Sequence, residues 1–285
     1  MTLLPALIDS GSRTPGCRSA VLRLLLLFGL VGGIAVRVVG DDGPAKSLPL
    51  PGEDFTVAGH QAFLIRPPVG TPATGGWVWY TPTLPSLPGP EERWMFERFL
   101  AAGLCIAGVD AGESYGSPDG NRVFDAFLAE VRANRGLLDR PVVLARSRGG
   151  LMALSWAAAH PSKVAGIAGI YPVCDLTSYP GLEKAAPAFH LEPSELARRL
   201  GEFNPVERLA PLAKARVPLY LLHGTVDTLV PLERNSGVVH IRYAALHGSV
   251  TLHVAPGQGH SMWNGYFECQ RLVDFVILTA GERGR

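Results

Sequence analysis

The sequence is poor in cysteine, with four in 285 residues, and that scarcity excludes a small fold held together by a dense disulfide framework. Cys17 lies ahead of an apolar run, so it cannot be the lipid-bearing cysteine that follows such a run. Cys105, Cys174 and Cys269 remain, an odd number, and Cys105 sits inside a strand-like stretch. At most one disulfide is expected, and buried thiols in preference. No His/Cys cluster has the spacing of a zinc site, so a metal is not implied. An excess of charge of one sign is also missing: Lys and Arg number 26 against 25 Asp and Glu, and the basic residues are scattered. No electrostatic footprint for nucleic acid results. Repeats and low-complexity blocks are absent. What is abundant is apolar material, 47% of the chain, enough for a globular core.

The first forty residues differ from the rest. Arg13, Arg18 and Arg23 precede the run "LLLLFGLVGGIAV", residues 24–36, and residues 41–52 that follow are a Pro- and Gly-rich linker. The run is shorter than the roughly 18 to 20 apolar residues of a membrane span and suits the core of an export signal. Cleavage after Ala35 or Gly40 would leave small residues in place. The expectation is export to a periplasmic or extracellular space. An uncleaved anchor, which alone would bring the protein to a membrane, and a tail without targeting role are the alternatives.

Beyond residue 52 the hairpin-like "DFTVAGHQAFLI" is followed by apolar runs, "GGWVWYT", "LCIAGVD", "PVVLAR", "VAGIAGIY", "VPLYLLHG" and "VTLHVAPG", that alternate from residue 90 onward with amphipathic helical segments. Such alternation predicts an α/β fold, with a mostly parallel sheet and helices on both faces. One domain over 53–285 is the economical count. Residues 172–214 break the rhythm and are too long for an ordinary connection. They are expected to form a small helical cap inserted between two strands.

The stretch "VVLARSRGGLMALSWAAAHP" places Ser147 between a strand and a helix. In a parallel sheet, ligands bind beyond the carboxyl ends of the strands, and a serine on a sharp bend projects its hydroxyl there. Ala145 and Gly149 supply the small residues such a bend needs. The helix that follows aims free N–H groups and a positive dipole at the same spot. The pattern resembles the nucleophile elbow of the α/β-hydrolases, G-x-S-x-G, with Ala145 in place of the first glycine.

That resemblance implies an acid and then a histidine downstream, each at a strand's carboxyl end. "LLHGTVDTLVP" offers Asp227 and "VAPGQGHSMW" offers His260. A serine hydroxyl needs a base to take its proton, and the base needs an acid to orient it. Singly, each residue has an ordinary structural reading, as helix cap, Asx turn or surface loop. Their order and placement favour the triad. His223 within "LLHG" reads as structural, His253 lies inside a strand, and Asp175 and Glu233 are badly placed as the acid. The oxyanion hole requires two N–H donors: the amide of Arg148 is one, and Thr83 in "WYTPTLPSLPGP" is the expected second, with Thr81 and Leu84 behind it. Pro82 has no N–H.

The resemblance covers residues 55–280 and is strongest to compact prolyl-oligopeptidase-like and dienelactone-hydrolase-like serine esterases, whose acidic glycine-rich loop is similar to "GVDAGESYGSPDG". It implies an α/β-hydrolase fold and a serine hydrolase cleaving carboxylic esters through an acyl-enzyme, without cofactor. Oligopeptidases of that family carry a large β-propeller, for which this chain is expected to have no room. Peptide cleavage is therefore the alternative, and a binding protein without catalysis a remote one. Arg146 and Arg148 read either as exposed residues paired with Asp110 or Glu113, or as an anionic subsite. With export, the second reading suits an esterase acting on acetylated, including acidic, carbohydrates.

Overall fold

The alternation of apolar and amphipathic runs produces eight strands and ten α-helices among the described residues, which in this computed structural model are 46–282 apart from residue 73. The expected signal or anchor, residues 1–40, and the start of the linker lie outside them. The described residues belong to one compact unit, 42–285.

The first strands among the described residues form the expected hairpin, β1 (Glu53–Val57) and β2 (His60–Ile65). Both turn residues, Ala58 and Gly59, have positive φ, 49° and 83°, the backbone that matches a two-residue turn to the strand twist. Then follow β3 (Trp77–Thr81), α1 (Arg93–Ala101), β4 (Cys105–Val109), α2 (Pro118–Arg135), β5 (Val142–Arg146), α3 (Gly149–Ala159) and β6 (Gly166–Ile170). After an irregular helical stretch come β7 (Leu219–Gly224), α8 (Ser236–Ala245), β8 (Val250–Ala255), α9 (Asn264–Phe267) and α10 (Gln270–Glu282). The sheet order is β1-β2-β4-β3-β5-β6-β7-β8, antiparallel at β1, β2 and β4 and parallel from there on. This is the α/β-hydrolase fold. All five residues of β3, β4, β5 and β6 are buried, because helices cover both faces.

Local chemistry sets the helix ends. Ser117 caps α2, accepting from the Gly120 amide at 3.3 Å, with Pro118 in the first turn and Gly136 in the left-handed conformation after the last. The single terminal helix expected from "MWNGYFECQRLVDFVILTAG" is instead two, α9 and α10, interrupted near Cys269. On one face α2, α3 and α8 pack over Trp77, Trp79, Phe124, Phe127 and Trp156. On the other, α1, α9 and α10 pack over Val78, Tyr80, Phe96, Phe99 and Tyr266. Burying each such side chain contributes about 1.5–3 kcal/mol. Cys105, Cys174 and Cys269 are buried free thiols.

Between β6 and β7 lie α4 (Leu182–Ala185), α5 (Pro193–Arg198), α6 (Leu200–Phe203) and α7 (Ala210–Lys214). Leu176, Ala185, Ala186, Phe189 and Leu196 form a small core of their own with Tyr115, Leu151, Val173 and Val230. Val206, Leu209 and Leu212 belong instead to the main core. At the end of the expected insertion, 172–214, α7 packs against α3 as part of the sheet's own covering layer. Among the described residues no helix is long and apolar enough to cross a membrane.

Candidate active site

The end of β5 turns into α3 at Ser147, whose φ is +50°, a left-handed conformation that costs a side-chain-bearing residue and persists only when its surroundings enforce it. Here they do. The Ser147 amide donates to the Ile170 carbonyl at 3.0 Å, and the Ser147 carbonyl accepts from Gly150 and Val173 at 2.9 and 2.8 Å. The two glycines after it are sites of close approach. A Cβ on Gly149 would lie 2.2 Å from the Thr81 carbonyl oxygen, and one on Gly150 would lie 2.3 Å from that of Val173. The elbow is thus wedged between the ends of β3 and β6, and Ala145 is buried behind it.

Two loops bring the remaining groups in. The loop after β8 carries His260, whose Nε2 lies 2.9 Å from Ser147 Oγ. The loop after β7 carries Asp227, whose Oδ2 lies 2.8 Å from His260 Nδ1. Asp227 Oδ1 accepts from the amides of Leu229 and Val230 at 3.1 and 2.8 Å. Burial works against its charge, but hydrogen bonds from His223, His260 and the Val230 amide prevail and hold its carboxyl well below the usual carboxylate range. It is an anion at neutral pH. His223 is buried, with Nδ1 2.8 Å from Ser236 Oγ and Nε2 2.8 Å from the Val230 carbonyl, which fixes the loop that carries Asp227. His253 lies 3.0 Å from the Tyr220 hydroxyl, within β8. Asp175 is engaged with Thr177 and Asn204, and Glu233 is exposed in a turn before α8.

The Arg148 amide finds no acceptor among the described residues and stands at the head of α3, directly after Ser147. Leu84 spends its amide on the Leu87 carbonyl. Thr83 is buried, its hydroxyl donating to the Tyr80 carbonyl at 3.2 Å, while its amide also finds no acceptor among the described residues. Among the described residues no group of three or more His, Cys, Asp or Glu side chains could hold a metal ion.

The two arginines beside the serine behave differently from each other. Arg148 pairs with Glu113 at a partly exposed position. Arg146, read from the sequence as exposed or as a substrate-binding residue, is only 5% exposed. Strand alternation is the reason: Val142, Leu144 and Arg146 share a face, and that face meets α1. There Arg146 donates to Glu92 Oε1 at 2.6 Å, the Tyr80 hydroxyl donates to the same oxygen at 2.7 Å, and the Gly89 amide donates to Oε2 at 2.9 Å. Burial opposes the guanidinium's charge, but the Glu92 carboxylate beside it prevails and keeps it protonated. Glu92 was not singled out in the sequence, since an acidic residue at a helix start is ordinary. Tyr171, at the end of β6, was also missed. Its ring lies 4.2 Å from that of His260.

Comparison with known proteins places the fold. The S-formylglutathione hydrolase of Agrobacterium tumefaciens superposes with a TM-score of 0.63 at 16% identity, over 82% of this chain and 94% of that one. Dipeptidyl peptidase 4 of Porphyromonas gingivalis gives 0.64 at 16% identity, over 79% of this chain and 35% of its own. A puromycin-hydrolyzing peptidase of Mycobacterium tuberculosis gives 0.60 at 17% identity, over 81% and 39%. The chain thus spans little more than a third of the peptidase structures it matches, 35% and 39% for two further examples. No curated protein matches it as a sequence relative. A model of the prolyl oligopeptidase family matches residues 121–279, more than half of the sequence and a span that includes Ser147, Asp227 and His260. The chain belongs to the prolyl oligopeptidase family of serine hydrolases.

Proposed function

We propose that the protein hydrolyses small carboxylic esters through an acyl-enzyme formed on Ser147. The observation that carries this reading is the continuous relay from Ser147 Oγ to His260 Nε2 at 2.9 Å and from His260 Nδ1 to Asp227 Oδ2 at 2.8 Å. His260 takes the serine proton as Oγ attacks the acyl carbon, and Asp227 holds the ring in the tautomer that leaves Nε2 free to accept. The oxygen that becomes negative is held by the amides of Arg148 and Thr83. His260 then protonates the departing alcohol. A water attacks the acyl-enzyme with the same histidine as base, restoring Ser147.

Resemblance along nearly the whole of an S-formylglutathione hydrolase supports an ester or thioester substrate. Family membership and the peptidase structures support the second reading, cleavage of small peptides. An acidic carbohydrate ester has lost part of its motive, because Arg146 is spent on Glu92 and Arg148 on Glu113. Export remains part of the proposal, supported by the three arginines ahead of the apolar run. Cell fractionation of the full chain and of one lacking residues 1–40 tests it: both in the same fraction would remove it.

p-Nitrophenyl acetate, a panel of acetylated sugars and a proline-containing peptide, assayed side by side, decide the substrate class. Turnover of esters with none of the peptide is expected. Ser147→Ala should lower kcat for the accepted substrate by about a million-fold while the protein stays folded, and a folded variant with near-normal turnover would overturn the mechanism.

A further inference from the structure

Tyr171 carries two costs that packing alone does not require. Its backbone is left-handed, φ +36°, which strains a residue with a large side chain. Its phenol is only 1% exposed, and its hydroxyl lies beside the Arg146 guanidinium without a hydrogen bond of good geometry, a loss for a buried polar group. What the conformation achieves is placement of the ring. Tyr171 is wedged between His260, 4.2 Å away and tilted by 49°, and Tyr266, 4.9 Å away and edge-on at 89°. Burial, against the pull of Arg146, pushes the phenol up to about 12, so the ring stays neutral.

Behind it sits the buried ion pair. Arg146 Nη1 holds Glu92, while Nη2 lies 2.7 Å from Met262 Sδ and the guanidinium carbon 4.9 Å from the centre of the Phe267 ring. Met262 is two residues beyond His260, and Arg146 is the residue before Ser147. One side chain therefore ties the strand that presents the nucleophile to the loop that presents the base. Tyr266 adds a second tie, its hydroxyl donating to the Gly259 carbonyl at 3.0 Å.

We propose that Tyr171, backed by the Arg146–Glu92 ion pair, is a positioning residue for His260, its ring face carrying the imidazole and favouring the imidazolium that forms when Ser147 gives up its proton. The inference rests on the reading of His260 as the base. An aromatic face attracts a cation by its quadrupole, and the attraction operates only while the histidine is charged, so it lowers the barrier more than it stabilises the resting enzyme. Because Tyr171 is buried, it acts through His260 and not on the substrate.

The test is a cycle on the full chain with p-nitrophenyl acetate, folding of each variant being checked by thermal unfolding. Tyr171→Leu is expected to lower kcat about tenfold or more with KM within about twofold. Tyr171→Phe, which keeps the face and drops the hydroxyl, restores kcat to within about twofold. In a His260→Ala background, Tyr171→Leu changes the residual rate no further, as expected of a residue that acts through the histidine. Should Tyr171→Leu not fold, Tyr171→Met supplies similar volume without the face, and Arg146→Lys, which keeps the charge but not the planar fork, lowers kcat in the same KM-neutral way. Wild-type kcat in a folded Tyr171→Leu or Tyr171→Met variant, or an equal further loss in the His260→Ala background, overturns the proposal. Ser147→Ala separates the two failures: if it too retains activity, the triad reading falls; if it is inert, the platform alone is wrong.

Discussion

On the face of the sheet covered by α2, α3 and α8, the space is filled by aromatic rings: Trp79 lies 4.9 Å from Phe124, 5.1 Å from Phe127 and 4.8 Å from Trp156. On the face covered by α1, α9 and α10, the packing of Phe96, Phe99 and Tyr266 is interrupted by two charges, Glu92 and Arg146. A buried ion pair is weak evidence for stability, since apolar residues of similar volume often do as well. Its position is more informative than its energy. It lies on the face beneath the histidine loop, and a protein that needed only a core could have filled that place as it filled the other side. The difference separates a face packed by rings from one that also buries a charged pair tied, through Met262, to the loop that carries His260.

Mutations can break this comparison. The largest effect on stability is expected on both sides: Phe127→Ala and Arg146→Met should each cost about 3–5 kcal/mol, the first by opening a cavity and the second by leaving the Glu92 carboxylate buried without its cation. Urea denaturation measures both. Only Arg146→Met should also depress kcat of the folded protein. Equal turnover in the two variants would erase the distinction between the faces. Pairing Arg146→Met with Glu92→Gln should recover much of the stability but not the turnover, which separates charge burial from positioning.

A smaller effect concerns pH. The folded carboxyl of Asp227 sits below its unfolded value of about 3.9, so its contribution to stability is complete above that value and is lost as pH falls through it toward the folded one. Urea midpoints taken from pH 7 to pH 3 should fall more steeply in the wild type than in Asp227→Asn. Parallel curves would mean that the buried hydrogen bonds to this carboxylate do not distinguish its charged form. The smallest effect is expected of Arg148→Gln. Its ion pair with Glu113 is partly exposed, and such pairs contribute about 0–1 kcal/mol. The backbone amide is untouched, so kcat/KM for p-nitrophenyl acetate should stay within about twofold. A loss of tenfold or more would assign the side chain a direct part in binding.

The sequence disclosed the parts of this site that obey local rules. Ser147, Asp227 and His260 each follow a recognisable apolar strand, so their convergence at the sheet's carboxyl edge could be read from the order of elements. Arg146 could not be read in that way. The alternation of β5 assigns it to a face, but its partner Glu92 is 54 positions away, and a two-carboxylate run at the start of α1 looks like any helix amino end. Tyr171 was hidden for a similar reason: it terminates a strand, where an aromatic residue is unremarked, and only its backbone conformation turns the ring under His260. At the insertion, the Pro-rich spacing concealed that Val206, Leu209 and Leu212 return to the main core before β7 begins. Long-range partnership and loop trajectory leave no periodic signature, and these were the features that the chain's pattern did not carry.

The carbonyl of Ser147 accepts the amide of Val173, the point at which the chain departs from β6 toward the helical insertion. The backbone of Ser147 is thereby the anchorage of that departure. Were residues 176–203 alone lengthened, shortened or recomposed, this hydrogen bond, which lies upstream of them, would still hold the serine's backbone. Under the proposed function, a change in that segment would alter what reaches Ser147 while the serine's own backbone stays held.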